Sequence, residues 1–328
     1  MKAIQMKQFG GPDVLTYTDV AEPAPGAGEV RVALAVAGVN PSDAYIRAGG
    51  YAFYTPQMPC TPGFDGAGVI DAIGEGVSGL ETGGRVFVAG LLSRRITGTY
   101  AQIVVCDAAC VHPLPDKVPF EEGAALGVPA LTAHRALFQR GRLKPGETVL
   151  IHGASGAVGN IAVQMASGMG AIVIGTAGSE AGKELVRQSG ADFVTDHASA
   201  ANLGEILALT GGKGPDLIIE CLANKNLATD LQLIARFGRI VVVGSRGSLD
   251  FNPRQIMAKE ADVLGLALWN AGKDEYRQSL AYIAAMLKAG TLHPRIGTVF
   301  PLREARRAHE QILEKAGNGK MLLRIGTV

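Results

Sequence analysis

The clearest regularity in the chain is a series of short, unbroken apolar runs, each leading into a turn of small residues and then an amphipathic stretch. Val149-Leu150-Ile151-His152 comes first, followed by residues 171–176 and 192–195, then Pro215-Asp216-Leu217-Ile218-Ile219-Glu220 and Arg239-Ile240-Val241-Val242-Val243-Gly244. Between them lie helix-like segments: one ends near Ser167, one covers residues 180–188, and one runs over residues 226–234. Runs without polar alternation predict strands buried on both faces, as in a parallel sheet covered by helices on each side. The β-α-β-α-β order therefore predicts an α/β, doubly wound parallel sheet over the middle of the chain.

The flanks have a different rhythm. From the N-terminus to about Pro115, β-type runs at residues 29–39, 67–73, 85–89 and 100–105 alternate with glycine and proline turns, which predicts a β-rich domain. Helix formers begin around Pro119-Phe120-Glu121-Glu122-Gly123-Ala124-Ala125. After Leu268 the pattern predicts a helix at 274–289, a strand at 297–300, a helix at 302–314 and a last strand at 320–325. Periodicity leaves open whether these last elements extend the parallel sheet or return to the β-rich domain.

A chain of 328 residues suits two domains. A net charge of +1 and the lack of any long basic block argue against a nucleic-acid or membrane surface, and read Arg94-Arg95 and Arg306-Arg307 as solvated patches. No stretch has the apolar length of a bilayer span, and Met1-Lys2-Ala3-Ile4-Gln5 lacks a secretory core, so a cytoplasmic protein is expected. Cys60, Cys106, Cys110 and Cys221 have no C-x-x-C spacing and read as reduced, packed thiols.

The chemistry is carried by Gly153-Ala154-Ser155-Gly156-Ala157-Val158-Gly159, set between a strand and a helix. Small residues at 154 and 156 allow a tight turn and close approach of a diphosphate, and Gly159 allows the helix to pack on the sheet. Ala154 replaces the first glycine of G-x-G-x-x-G, so the pattern draws its weight from the strand before it and the helix after it. The helix N-terminus would present unpaired N–H groups to the phosphates. NAD sites place an acid about 20 residues further on, for the ribose 2′-hydroxyl. Here the second strand ends Ile174-Gly175-Thr176-Ala177-Gly178-Ser179 without one. That favours NADPH, with Lys183 placed to pair with the extra phosphate and Glu180 the contrary signal.

Several further motifs appear in order: Phe9-Gly10-Gly11-Pro12-Asp13-Val14-Leu15, Gly38-Val39-Asn40-Pro41-Ser42-Asp43-Ala44-Tyr45-Ile46-Arg47, and Thr61-Pro62-Gly63-Phe64-Asp65-Gly66-Ala67-Gly68. His152-Gly153-Ala154-Ser155-Gly156, Gly175-Thr176-Ala177-Gly178, Leu222-Ala223-Asn224 with Asn226, and Val242-Val243-Gly244-Ser245-Arg246-Gly247 follow. Asn252-Pro253-Arg254 and Met257-Ala258-Lys259-Glu260 complete the set. Nearly end to end, the chain resembles the medium-chain dehydrogenase/reductase superfamily, and within it the zeta-crystallin-type NADPH:quinone oxidoreductases. The resemblance implies a Rossmann domain inserted in a GroES-like β-rich domain: residues 1–121, then 122–268 for NADPH, then 269–328 returning to the first domain. It also implies cofactor contacts from Tyr45, Ser155, Gly156, Ala157, Val158, Gly178, Lys183, His197, Asn226, Val243, Gly244, Ser245, Arg246, Leu266, Ala267 and Leu268. A homodimer pairing sheet edges near residues 263–268 is a further implication. Two departures stand out: Gly83-Gly84-Arg85-Val86 lacks the family's usual aspartate, and Ile96-Thr97-Gly98-Thr99-Tyr100 replaces a more glycine-rich segment.

Zinc members of the superfamily carry a cysteine where Asn40 or Pro41 stands and Gly-His-Glu where Gly63-Phe64-Asp65 stands. A catalytic zinc needs about three Cys, His or carboxylate ligands, so metal-free chemistry is expected. Without a Lewis acid, a quinone or enone is a better hydride acceptor than a simple ketone, because its own π system takes up the charge. Asn40, Tyr45, Tyr51 and Thr132 are candidates for orienting substrate or carboxamide, and no catalytic acid or base is named. The alternatives are an enone, alkenal or enoyl-thioester reductase on the same scaffold, or a crystallin-like or RNA-binding protein that holds NADPH without turnover. The near-neutral charge argues against the RNA reading.

Overall fold

The computed structural model describes residues 1–314 and 317–326, so positions 315–316 and 327–328 of the expected C-terminal segment lie outside the described residues. The chain divides into two compact units, Pro129–His293 and Met1–Val128 with Pro294 onward.

The first of these is built on a six-stranded sheet. In chain order its strands are Thr148–Ile151, Ile172–Thr176, Phe193–Thr195, Leu217–Glu220, Arg239–Val242 and Asp262–Gly265. All pairs are parallel, and the spatial order is third, second, first, fourth, fifth, sixth. The order reverses between the first and fourth strands, where Ile151 is level with Ile219. Such a switch point opens a crevice at the strands' carboxyl ends. Leu150, Ile174, Ile218 and Ile240 are buried in the core, with Leu231, Leu233 and Ile234 packed from one helical layer. Each fully buried side chain of this kind contributes about 1.5–3 kcal/mol, which is why these runs carry no polar alternation.

Helices Ala157–Gly168, Glu180–Gln188 and Ala223–Leu233 match the expected positions, whereas Asn202–Leu209 and Arg254–Lys259 had no counterpart in the sequence pattern. A helix over Gly127–His134 continues into a π-helical stretch at Arg135–Arg140, and the Gly141 N–H donates to the Ala136 carbonyl at 2.9 Å. The helix Lys273–Ala289, expected in the C-terminal return, lies in the parallel-sheet unit instead. Polar contacts fix it there: Arg135 pairs with Glu275, Gln139 Nε2 donates to the Glu275 carbonyl at 2.7 Å, and Ser279 Oγ lies 2.9 Å from His134 Nδ1. The unit boundaries therefore fall at 128/129 and 293/294 rather than at 121 and 268.

The β-rich unit holds a seven-stranded sheet and a two-stranded pair, Lys2–Gln5 with Thr16–Asp19. Its long strand Glu29–Val39 pairs antiparallel with Asp65–Ile73, Ile103–Asp107 and Lys320–Arg324. Arg85–Ala89 and Val111–Pro113 extend one side of the sheet, and Ile296–Pro301 pairs parallel with Lys320–Arg324 on the other. The run expected as a strand from Tyr100 begins at Ile103, and the fully buried Tyr100 sits in the preceding turn. The tail thus pairs with the β-rich sheet through Leu322 level with Gly38 and Met321 level with Val39. The turn that lacks the family's aspartate is closed by Gly83 N–H to the Ile70 carbonyl at 2.8 Å.

Candidate functional site

The strand Thr148–Ile151 ends at His152, and Gly153 then adopts φ +60, a left-handed conformation that glycine accepts without cost. Gly153 N–H donates to Thr176 Oγ1 at 3.2 Å, Ala154 N–H to the Thr176 carbonyl at 2.9 Å, and Gly156 N–H to the Gly153 carbonyl at 2.9 Å. A Cβ on Gly159 would lie 2.3 Å from the Gly153 carbonyl oxygen, so the helix can seat on the turn only with glycine there. A Cβ on Gly153 would meet nothing within 4 Å. The helix Ala157–Gly168 has Gly156 as its N-cap and no side-chain cap. Its leading amides and the positive end of its dipole are therefore left for an anion. A backbone cradle that is uncapped and open on one side fits the diphosphate of a dinucleotide.

At the ends of the second and third strands, Ser179 caps the helix Glu180–Gln188, its Oγ accepting from Gly182 N–H at 3.1 Å. Lys183 Nζ lies 2.8 Å from Glu180 Oε1 and 3.0 Å from Asp196 Oδ2. His197 Nδ1 lies 3.4 Å from Thr176 Oγ1, and a Cβ on Gly178 would meet the His197 ring. Burial pulls His197 below its ordinary pKa. Gly178, Lys183 and His197 are thus neighbours. Asp196 was missed because the sequence signal sought an acid ending the second strand, and this one ends the third.

At the fourth, fifth and sixth strands, Val243 N–H donates to the Glu220 carbonyl at 2.8 Å and Ala223 N–H to the Gly244 carbonyl at 2.9 Å. Ser245 Oγ donates to the Gly247 carbonyl at 2.9 Å, and Arg246 N–H to Asn224 Oδ1 at 2.9 Å. Asn226 Nδ2 donates to Glu220 Oε1 at 3.3 Å. Leu266 N–H donates to the Val242 carbonyl at 2.9 Å, and Ala267 leads into a short turn at Leu268–Asn270. Asn226, the run from Val243 to Arg246 and Leu266 therefore gather at the carboxyl ends of neighbouring strands. Between them lie His152, Glu220 and Asp230, a buried cluster that the sequence reading did not single out. A carboxylate closing the apolar strand Leu217–Glu220 was the available signal. Thr132 is buried in the helix Gly127–His134.

In the β-rich unit, Tyr45 stacks on Tyr51 with ring centroids 6.5 Å apart and planes at 14°, and Phe53 meets Tyr51 edge-on at 5.4 Å. Asn40, by contrast, is only 3% exposed. Its Nδ2 donates to Asp65 Oδ2 at 2.8 Å and its Oδ1 accepts from Lys320 Nζ at 2.6 Å, so its amide is already engaged inside the fold. Lys320 Nζ also donates to Asp65 Oδ2 at 2.9 Å, and Val128 N–H to Asp65 Oδ1 at 2.8 Å. This donor set does not suit a catalytic zinc. Of Asn40, Phe64 and Asp65, only Asp65 is an anionic ligand, and an ammonium, an amide and a backbone N–H saturate it.

Comparison with known proteins agrees with this architecture. Residues 157–285 match the family model described as zinc-binding dehydrogenase, and residues 26–116 that described as alcohol dehydrogenase GroES-like domain. Quinone oxidoreductase of Rattus norvegicus is 45% identical over 325 residues, covering 98% of this chain and 97% of the relative. The crystal structure of Escherichia coli quinone oxidoreductase complexed with NADPH superposes with a TM-score of 0.87 at 27% identity, covering 99% of this chain and 100% of that one. A crystal structure of an NAD-dependent alcohol dehydrogenase gives a TM-score of 0.89 at 31% identity, covering 99% and 100%. With a relative this similar matched along almost its whole length, the chain belongs to the quinone oxidoreductase family of the medium-chain dehydrogenase/reductase superfamily.

Proposed function

We propose that this protein is a zinc-independent oxidoreductase that transfers hydride from NADPH to a quinone or similar conjugated carbonyl compound. The observation that carries the reading is the open, uncapped turn from Gly153 to Ala157, in a chain 45% identical to a quinone oxidoreductase. Amides of Ser155, Ala157 and Val158 would hold the diphosphate, with Gly156, whose N–H is bonded to the Gly153 carbonyl, letting the backbone approach it closely. Gly178, Lys183 and His197 would receive the adenosine ribose and its phosphate, and Asn226, Val243, Gly244, Ser245, Arg246, Leu266, Ala267 and Leu268 the rest of the nucleotide. When bound, NADPH supplies the hydride.

The chain's own part is to bind, orient and keep water out. Tyr45, Tyr51 and Phe53 offer flat apolar surface to an aromatic ring, with Tyr45 assigned to the nicotinamide and Tyr51 and Thr132 to orienting groups. A quinone spreads incoming charge over its own ring, so it has less need of the Lewis acid that the Asn40, Phe64 and Asp65 set cannot hold. Asn40 acts on this reading through Asp65 and Lys320, not by touching substrate.

The protein is further proposed to act as a cytoplasmic homodimer. Four free cysteines suit a reducing compartment. The strand Asp262–Gly265 forms one edge of the parallel sheet with Val263 37% exposed, and an apolar edge needs a cover. Light scattering at working concentration should give twice the chain mass.

The activity is tested by mixing purified protein with NADPH and a panel of ortho-quinones, para-quinones and enones while following nicotinamide absorbance. Turnover of quinones supports the reading. Turnover of enones alone would move the protein to the enone reductases, and cofactor binding without any turnover would overturn the enzymatic reading.

A further inference from the structure

His152 and Glu220 stand side by side at the sheet's switch point. Their strands pair with Ile151 level with Ile219, so the next residues of the two strands are level too. His152 Nε2 lies 2.8 Å from Asp230 Oδ1 and 3.6 Å from Glu220 Oε2, and Asp230 reaches in from the helix Ala223–Leu233. All three side chains are buried. His152 Nδ1, Glu220 Oε2 and Asp230 Oδ2 are buried polar atoms without a hydrogen-bond partner. An imidazolium with two carboxylates would leave one uncompensated negative charge in a dry place, which is costly. One more proton, on Glu220, makes the group neutral and gives one of the two unpartnered carboxylate oxygens a hydrogen to share.

The cluster is also joined to the segments that face the cofactor. His152 directly precedes Gly153 of the turn, and its N–H donates to the Ile219 carbonyl at 3.1 Å. Glu220 Oε1 accepts from Leu222 N–H and from Asn226 Nδ2, and the Glu220 carbonyl accepts from Val243 N–H.

We propose that His152, Asp230 and Glu220 are positioning residues that hold one shared proton beneath the dinucleotide turn, and that this proton sets the grip on the cofactor. The assignment rests on the nucleotide reading given above. Burial pushes the Glu220 carboxyl up to about 7, with the His152 charge opposing and the Asp230 charge adding to it. Burial opposes a charge on His152, but the hydrogen bond and charge of Asp230 together with the charge of Glu220 outweigh it, so its net shift is upward. The other titratable groups that feel the cluster are Cys221, whose thiol is pushed up to about 12 by burial, and His197, which burial pulls down. Neither brings a compensating charge. Raising the pH through about 7 therefore places a net negative charge under a turn that must receive a diphosphate.

The test is calorimetric titration of NADPH into wild type and Glu220→Gln at pH 6 to 8.5, in two buffers of different ionisation heat. Both proteins see the same ligand, so its own ionisation cancels. Wild type should bind about tenfold more weakly at the alkaline end, the order expected for one added charge near the phosphates, and should take up a proton on binding there. Glu220→Gln, which mimics the protonated acid, should bind with the acid-side strength throughout. His152→Gln should bind weakly at every pH. Should Glu220→Gln not fold, the wild-type proton uptake and the His152 ring ¹⁵N shifts at pH 8 carry the test alone. Parallel pH profiles for wild type and Glu220→Gln, a neutral His152 ring, or a divalent metal found at one per chain would each overturn the shared proton. Absence of NADPH binding to wild type at any pH, with His152 still an imidazolium, would mark the nucleotide reading as the failure and remove the positioning role with it.

Discussion

Lys320 Nζ lies 2.9 Å from Asp65 Oδ2, and the two side chains are 1% and 0% exposed. The ammonium reaches Asp65 across Gly38, where a Cβ would stand 2.7 Å from Lys320 Cε and 2.4 Å from the Ala124 carbonyl oxygen. A cation delivered by the last strand thus neutralises the one carboxylate of the Asn40, Phe64 and Asp65 set.

Lys320→Met should leave Asp65 buried and uncompensated, a loss of about 3–5 kcal/mol. Guanidinium denaturation will show it as a lowered midpoint. Combining it with Asp65→Asn should recover much of the loss, and added zinc should restore none of it. A single variant as stable as wild type would remove the claim that the pair bears on stability.

Gly38→Ala should destabilise by about 1–3 kcal/mol, because the new methyl meets backbone oxygen as well as the lysine stem. Thermal unfolding followed by circular dichroism is sufficient. A melting temperature unchanged from wild type would mean that the strands there separate more freely than their packing implies.

Lys183 shares its charge between Glu180 and Asp196. Asp196→Asn should release it and widen the preference for NADPH over NADH, whereas Lys183→Met should narrow the preference about tenfold. The ratio of kcat/KM for the two cofactors reads both effects. An unchanged ratio in Lys183→Met would place the 2′-phosphate elsewhere.

Arg47 Nε can only donate, so at 3.2 Å it fixes His309 Nδ1 as an acceptor and leaves the hydrogen on Nε2, 3.1 Å from Tyr100 Oη. The Tyr100 hydroxyl in turn donates to Asp43 Oδ2 at 3.0 Å. Burial, then the Arg47 charge, pulls His309 from 6.5 to about 3. Between those values the unfolded chain binds a proton that the folded chain refuses. The contribution of His309 is therefore complete above pH 6.5 and is lost as pH falls toward 3. Asp43 works in the opposite sense: burial raises it from 3.8 to about 7, so its protonated folded form favours stability at low pH and this is lost as pH rises through about 7. His309→Gln should remove about 1.4 kcal/mol per pH unit from the slope of stability between pH 4 and 6. A slope equal to wild type would mean that His309 is charged in the fold.

Much of the parallel sheet was legible because its strands are buried on both faces, and Leu150, Ile174, Ile218 and Ile240 declare that without help from neighbours. The helix Asn202–Leu209 was not, since Gly204 interrupts it and Ile206 is its one buried side chain. The strand Lys320–Arg324 could be seen but not placed, because a period of two reads alike in either sheet and only pairing with Val36 to Val39 decides. In the site, the glycine turn announces itself through spacing. The partners of Lys183, Asn40 and His152 do not, as each meets a residue brought from another element: Asp196, Lys320 and Asp230. Long-range polar pairing leaves no local period to read.

The position of Lys320 also orders events during synthesis. Asp65 leaves the ribosome early, while the ammonium that neutralises it is translated only after the whole of Pro129–His293. The parallel-sheet unit, continuous in the chain, can complete its fold while the β-rich sheet still lacks Ile296–Pro301 and Lys320–Arg324 along one side. Until those strands arrive, the nascent sheet keeps an open edge and an acidic interior, and a stop codon shortly before Lys320 would make that unfinished state permanent.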